Sequence, residues 1–204
     1  PIYNHPWINN NGKIVATLPA KNFYGLDSDH TDTTSQYATL GHIHRFDNGG
    51  ELNTRLRVGN YKRDMLASVN RFGTTITSLD QITDSTPIAR QSKGRIGESD
   101  ITQLQSDYTN TFDLGGKKHA IIAGVDYYHD DAKRNQSIAN TGTQPGTTVG
   151  SPNDGTSVPD RRTNIAYNTF KAENLGLYVQ DTMSITDTVK LVGGLRYDRF
   201  KAAY

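Results

Sequence analysis

The chain has 204 residues, with 22 Lys and Arg against 21 Asp and Glu, no Cys, and a mean hydropathy of -0.67. No window approaches the roughly 18 consecutive apolar residues of a spanning helix, so a helical membrane protein is excluded. Without Cys the chain has no disulfide, thiolate chemistry or Cys-based zinc site, and its balanced charge gives a nucleic-acid partner no electrostatic support. A transmembrane β-barrel stays compatible, because only alternate strand residues face lipid.

The first two predicted strands form a hairpin. Period-2 alternation predicts strands at about residues 33–46 and 51–62. Asp47-Asn48-Gly49-Gly50 supplies the turn between them, since Asn and Gly tolerate the positive φ of hairpin turns. The second strand alternates apolar with polar side chains, Leu52, Thr54, Leu56 and Val58 against Glu51, Asn53, Arg55 and Arg57.

A second hairpin follows a polar stretch, residues 63–100, that is predicted to be a long loop. Its strands are predicted at about 101–114 and 119–130, with the short turn Gly115-Gly116-Lys117-Lys118 between them. Their apolar faces carry Leu104, Tyr108, Phe112 and Leu114, then Ile121, Ala123, Val125 and Tyr127.

The third hairpin follows a second predicted long loop, residues 131–172. Its strands are predicted at about 173–184 and 189–200, joined by a turn at 185–188. Short and long connections therefore alternate, as in a transmembrane barrel with short periplasmic turns and long extracellular loops. A soluble antiparallel sandwich gives the same alternation of side chains, but it has no general reason to place every long loop at one end.

Three stretches in this order carry a resemblance to TonB-dependent siderophore receptors. They are Asn22-Phe23-Tyr24-Gly25 with Asp29 and Asp32, the hairpin His42-Ile43-His44-Arg45-Phe46-Asp47 with Leu52-Asn53-Thr54-Arg55-Leu56-Arg57, and the hairpin Tyr178-Val179-Gln180-Asp181 with Gly193-Gly194-Leu195-Arg196-Tyr197-Asp198. The last pair is the most specific of the three. The subgroup resembled handles ferric catecholate or hydroxamate siderophores, and catecholate is preferred.

The resemblance implies an all-β, antiparallel barrel of about 22 strands around an N-terminal plug. Residues 1–204 are expected to be one part of that barrel domain, about six strands, without the plug, the TonB box or a secretory signal. It further implies the outer membrane of a Gram-negative bacterium as the location. The implied partners are a ferric siderophore, the TonB-ExbB-ExbD complex acting through the plug, and outer-membrane lipid and lipopolysaccharide. No enzymatic activity and no cofactor are expected.

Four arginines in the predicted long loops are candidates for contact with an anionic ferric chelate: Arg90, Arg95, Arg161 and Arg162. The planar guanidinium suits this task because it offers five donors and a permanent charge. Solvated loop charges are the alternative interpretation. Arg55, Arg57, Arg196 and Asp198 are expected to line the lumen, where they can contact the plug, and the alternation also sends Tyr178 inward.

The histidines offer weaker signals. His42 and His44 share one strand face at a spacing that suits a metal, but no third ligand lies nearby, and a wet lumen-facing pair is the preferred interpretation. His129-Asp130-Asp131 resembles a cation site only loosely, and no sequence motif for catalysis occurs. A passive porin-like barrel and a soluble β-sheet binding domain remain the functional alternatives.

Overall fold

A computed structural model describes residues 5–10, 13–135 and 138–204. In chain order its elements are β1 (Trp7–Asn10), β2 (Lys13–Ala16), β3 (His30–Arg45), β4 (Glu51–Phe72), a 3-10 turn (Leu79–Gln81), β5 (Pro87–Leu114), β6 (Lys117–Arg134), β7 (Thr147–Thr148), β8 (Asn168–Ser184) and β9 (Lys190–Ala203). The long strands lie in the order β3-β4-β5-β6-β8-β9, so neighbours in sequence are neighbours in the sheet. The predicted all-β antiparallel fold is confirmed. Among the described residues, no helix is long and apolar enough to cross a membrane.

Contacts divide the chain into two compact units. The loop unit comprises Pro1–Thr33, Lys62–Gly97 and Arg134–Tyr167, and the strand unit comprises Thr34–Tyr61, Glu98–Lys133 and Asn168–Tyr204. The strand unit holds the three predicted hairpins. The loop unit holds β1, β2, β7 and those parts of β4 and β5 that the sequence did not predict.

Two glycines make the tightest turn of the strand unit. β5 ends at Leu114 and β6 begins at Lys117, so Gly115 and Gly116 alone connect them. Their φ angles are +57° and +72°. Positive φ at both central residues defines the type I′ turn, whose twist matches that of the strands it joins. The Gly-Gly pair therefore fixes the register of this hairpin.

The β8–β9 pair shows how the strand unit separates polar from apolar side chains. Leu177 lies opposite Tyr197, whereas Tyr178 lies opposite Arg196. Directly opposed residues share a face of the sheet. On the apolar face Leu177 is 49% exposed and Leu195 80% exposed, so the face is not covered by any described part of the chain. The prediction that Tyr178, Arg196 and Asp198 share one face is confirmed for this hairpin.

The predicted long loops are shorter than expected. β4 continues to Phe72 and β5 begins at Pro87, so the first long connection is 73–86 instead of 63–100, and the second is 135–167 instead of 131–172. Consecutive residues of the β4 extension are buried, among them Leu66, Val69 and Asn70. A strand covered on both faces loses its period-2 pattern, and the prediction therefore failed there.

Candidate functional site

Tyr24 stands at the centre of the loop unit. Its side chain is fully buried, and its hydroxyl donates to the carbonyl oxygen of Val149 at 2.8 Å and accepts from Nδ2 of Asn22 at 2.9 Å. Asp29 accepts hydrogen bonds from the backbone amide and the hydroxyl of Ser68 at 2.9 and 3.0 Å. The segment around Tyr24 thus ties the second long connection and the β4 extension together within this unit.

Arg90 is a buried anchor in this unit. The structure places it in β5, not in a loop, with a fully buried side chain. Nε donates to the carbonyl oxygen of Tyr24 at 2.7 Å, and Nη2 donates to Asp154 at 2.9 Å. Partial burial raises the pKa of Asp154, but hydrogen bonds from Arg90 and Thr156 outweigh it and lower the pKa to about 2. The Asp154 carboxylate is therefore charged at any physiological pH.

Arg162 forms a second anchor. Only 2% of its side chain is exposed, and Nη1 donates to Asp64 at 2.8 Å and to the carbonyl oxygen of Met65 at 3.2 Å. Nη2 donates to Asp160 at 2.7 Å, and hydrogen bonds from Arg162 lower the pKa of Asp160 to about 2. His30 lies 3.8 Å from the same Asp64. The guanidinium thus joins the second long connection to the β4 extension.

Arg95 and Arg161 differ from these two anchors because their side chains are exposed. Arg95 lies in β5, again not in a loop. The backbone of Arg161 is held by its amide, which donates to Oδ1 of the buried Asn140 at 2.6 Å. Of the four predicted arginines, these two therefore present a guanidinium to solvent, and contact with a ligand stays a prediction for all four.

The polar face of the strand unit carries a charged network. The Tyr178 hydroxyl donates to Asp107, and the Arg196 guanidinium lies 5.4 Å from the centroid of the Tyr178 ring. Arg196 bonds to Asp126 at 2.9 Å and to Asp198 at 2.6 Å. These contacts place Tyr178, Arg196 and Asp198 on one face, as the alternation predicted.

Arg55 and Arg57 lie on the same polar face. Arg57 sits 4.8 Å above the Tyr37 ring and donates from Nε to the Thr39 hydroxyl at 2.9 Å. Both arginines are exposed, and both line a cavity of about 460 Å³. The other residues around this cavity are Thr39, Gln103, Leu104, Gln105, Asp126, Tyr127, Tyr128, Tyr178 and Arg196.

The interpretation of His42 and His44 as a lumen-facing pair is wrong. His44 packs against Phe46, with ring centroids 4.5 Å apart, and Phe46 packs against Tyr108 at 5.9 Å. Tyr108 alternates in β5 with Asp107, which belongs to the polar face. The two histidines therefore lie on the apolar face, where their rings stack 6.4 Å apart. Ring packing with aromatic neighbours accounts for their place.

His129-Asp130-Asp131 does not form a joint site. His129 lies 3.5 Å from Glu173, and Asp131 bonds to Lys171 at 2.6 Å. Asp130 lies on the opposite face of β6 by alternation. Among residues 5–10, 13–135 and 138–204, no group of three His, Asp or Glu side chains is placed to hold a metal ion.

Sequence reasoning missed the partners of the charged residues. His119 and Asp181 form a hydrogen bond of 2.6 Å, with His119 stacked on Phe112 at 5.7 Å, and this pairing was not predicted. Asp154 and Asp64 were also missed. The pairing residues are far apart in the chain, so no spacing reveals them. Tyr24 could be noticed in the sequence, because it belongs to the Asn-Phe-Tyr-Gly motif that carries part of the family resemblance.

Comparisons with known proteins agree with this fold. The family model "TonB dependent receptor-like, beta-barrel" matches residues 2–204. The catecholate siderophore receptor Fiu of Escherichia coli strain K12 is 26% identical over 198 residues, covering 97% of this chain and 25% of Fiu.

Solved structures give the same result. The closed form of the ferric-catecholate import receptor Fiu from E. coli K12 superposes with a TM-score of 0.79 at 26% identity, covering 95% of this chain and 27% of that one. The pyoverdine receptor FpvA of Pseudomonas aeruginosa PAO1 superposes with a TM-score of 0.76 at 18% identity, over 98% and 28%, and shows the shared fold. The chain thus spans about a quarter of the curated relatives it matches. It belongs to the TonB dependent receptor-like, beta-barrel family.

Proposed function

We propose that this chain supplies barrel strands and surface loops of an outer-membrane receptor that imports ferric siderophores with energy from TonB. The observation that carries the proposal is the superposition on the ferric-catecholate receptor Fiu over 95% of the chain, with 26% identity. The named relatives are receptors and not enzymes, and the proposed location is the outer membrane of a Gram-negative bacterium. The energy-coupling partner is the TonB-ExbB-ExbD complex.

The exposed apolar face supports a membrane location. Leu177, Leu191, Leu195 and Tyr197 lie on that face and are between 49% and 80% exposed. Large contiguous apolar surfaces on a folded unit mark contact with a membrane or another protein. In the proposed function these side chains meet outer-membrane lipid and lipopolysaccharide, while the polar face meets the lumen.

In this proposal the ligand is a ferric catecholate, and Arg95 and Arg161 contact it. Both guanidiniums are exposed, whereas those of Arg90 and Arg162 are buried with carboxylate partners. A ferric catecholate is anionic, so a free guanidinium can donate to its oxygens. Arg90 and Arg162 then serve the site indirectly, because they hold the loops in place.

Uptake of iron-55 as a ferric catecholate tests the function. Cells that make the complete gene product should accumulate iron, and deletion of tonB should abolish accumulation. Accumulation that persists without TonB would contradict the proposal and favour a passive porin.

Surface binding at 4 °C tests the arginines. Arg95→Gln and Arg161→Gln should each weaken binding of the ferric catecholate by about tenfold, since a charged hydrogen bond contributes roughly 1.5–3 kcal/mol. Lys93→Gln, an exposed change in the same strand, is the matched control. If all three variants bind the ferric catecholate with the affinity of the parent, Arg95 and Arg161 do not contact the ligand.

A further inference from the structure

A polar pair of side chains lies on the apolar face of the strand unit. Nδ1 of His119 donates to the carboxylate of Asp181 at 2.6 Å, and the His119 ring stacks on Phe112 with centroids 5.7 Å apart. His119 stands an odd number of residues from Asp126 of the polar face in β6, so the two point to opposite faces. The same holds in β8 for Asp181 and Tyr178. Ionisable side chains on a surface that meets lipid are rare and mark functional sites.

The pair lies at the end of the strands where the short turns are. His119 is the third residue of β6, and Asp181 stands three residues before the end of β8. Lys117, on the same face as His119, donates from Nζ to the carbonyl oxygen of Ile185 in the turn after β8 at 2.7 Å. A carbonyl oxygen has no net charge, so this contact does not neutralise the Lys117 ammonium. In a transmembrane barrel such strand ends lie at the level of the periplasmic headgroups.

The surface beside Asp181 is open. Gly193 lies directly opposite Asp181 in β9, and a β-carbon added at Gly193 would meet no atom within 4 Å. The Asp181 side chain is 41% exposed although it is bonded to His119. Phe112 and Leu191, which are exposed on the same face, supply apolar surface next to it. A polar group with an attached hydrocarbon chain can therefore reach the Asp181 carboxylate from outside the protein.

The charges at this place match a zwitterionic headgroup. Asp181 presents a carboxylate on β8, and Lys117 presents an ammonium on β6, the neighbouring strand of the sheet. A carboxylate accepts charged hydrogen bonds from a primary ammonium, and a lysine donates them to a phosphate. An ethanolamine phospholipid has both a primary ammonium and a phosphate. A choline phospholipid has no N–H to donate, and a glycerol phospholipid has no cation.

We propose that Lys117 and Asp181, with His119 fixing the carboxylate, bind the headgroup of an ethanolamine phospholipid at the short-turn end of the apolar face. Asp181 accepts from the lipid ammonium, Lys117 donates to the lipid phosphate, and the acyl chains lie along Phe112 and Leu191. This site rests on the proposed function, since it takes the apolar face to meet the membrane. General contact of a barrel with lipid requires only apolar side chains, whereas this site selects one headgroup.

Photo-crosslinking to lipid in the complete gene product tests the proposal. Benzoylphenylalanine is placed at Leu191, which lies opposite Met183 and two residues from Gly193, and therefore beside the site. The protein is inserted into vesicles of ethanolamine, choline and glycerol phospholipids in equal parts, all with the same acyl chains. Mass spectrometry of the labelled peptide identifies the attached lipid. The ethanolamine lipid should exceed each of the other two by about threefold or more, because only it satisfies both charged groups.

Three substitutions assign the preference to the site. Asp181→Asn and Lys117→Gln should each bring the labelling close to equal for the three lipids. Lys118→Gln is the matched control, because Lys118 is an exposed lysine of the same strand whose side chain points to the other face, and it should keep the preference. Heat-modifiable migration in SDS gels selects variants that still fold. If Asp181→Asn fails this check, Lys117→Gln alone decides.

Two results would overturn the proposal. One is equal labelling of the three lipids in the parent, or a preference for the ethanolamine lipid that survives in the folded Asp181 and Lys117 variants. The other is strongest labelling by the glycerol phospholipid that depends on Lys117 and not on Asp181, which would indicate a site for phosphate alone.

Failure of the proposed function is distinguishable from failure of the lipid site. A gene product that imports ferric catecholate without a lipid preference would lose only the headgroup site. A gene product that selects the ethanolamine lipid but imports no ferric catecholate would keep the site and lose the transport function.

Discussion

Two buried arginines decide how the loop unit is held. Arg90 donates to the carbonyl oxygen of Tyr24 and to the carboxylate of Asp154, both far from it in the chain. Arg162 donates to the carbonyl oxygen of Met65 and to the carboxylate of Asp64, which are also far from it in the chain. Arginine suits this role because its fork of donors satisfies several acceptors at once and keeps its charge. Lysine has a single charged centre and does not replace that geometry.

Replacing Arg90 should loosen the loop unit. Arg90→Met leaves Asp154 without its cation and should cost roughly 3–5 kcal/mol, the usual range for breaking a buried ion pair. Hydrogen exchange of residues 145–158 should rise strongly in this variant, while Arg95→Met, in the same strand but exposed, should exchange like the parent. Equal protection in both variants would show that Arg90 is not an anchor.

The same ion pair sets an acid limit. The pKa of Asp154 is lowered from 3.8 to about 2, so its contribution is present above pH 4 and lost as the pH falls towards 2. The extent of cleavage of the loop unit in limited proteolysis should be constant from pH 7 to 5. An acid-tolerant protease is used at the lower pH values. Cleavage near Asp154 should increase between pH 4 and 2. An increase in cleavage near Asp154 already at pH 5 to 6 would contradict a lowered pKa of Asp154.

At the level of single elements, the strands of the strand unit have one apolar and one polar face, which the proposed function assigns to lipid and to the lumen. Leu177 is on the apolar face and Gln180 on the polar face of β8. Leu177→Arg should destabilise the folded receptor in lipid by about 2–4 kcal/mol if it lies near the bilayer midplane, whereas Gln180→Arg should have a small effect. Urea titration of the receptor in vesicles measures both. A larger loss for Gln180→Arg would reverse the assignment of the faces.

The Gly115-Gly116 turn gives a second test at this scale. Gly116→Ala places a β-carbon at a φ of +72° and should cost about 1 kcal/mol. Gly116→Asn should cost less, because Asn accepts positive φ more readily. The same urea titration compares the two. An Ala variant as stable as the parent would mean that the turn relaxes to another type.

For the whole molecule, the strand order leaves two strands with one neighbour each among the described residues. β3 and β9 stand at the two ends of that order. Unpaired strand edges associate with other chains. The 204-residue chain produced alone in detergent should therefore form oligomers by light scattering, and a stable monomer would contradict this expectation.

The local patterns predicted the hairpins of the strand unit well, and the reason is physical. One face of each strand is apolar and the other polar, so the alternation in sequence records the environment directly, as for Leu177 and Tyr178. The glycines Gly115 and Gly116 also predicted the position of the turn between β5 and β6 correctly. The resemblance in the last hairpin indicates the family from the sequence alone.

Local sequence patterns and motifs predicted the all-β class, the three hairpins, the shared face of Tyr178, Arg196 and Asp198, and the family. The folded structure was needed to show that Arg90 and Arg162 are buried anchors, that Arg95 lies in a strand, and that His42 and His44 lie on the apolar face. It also showed the extent of β5 and of β4, and in β4 the residues Leu66 and Val69, which alternate between the two faces, are both buried. Local patterns report a residue's environment only where one face differs from the other, and ion pairs between segments far apart in the chain leave no periodic signal.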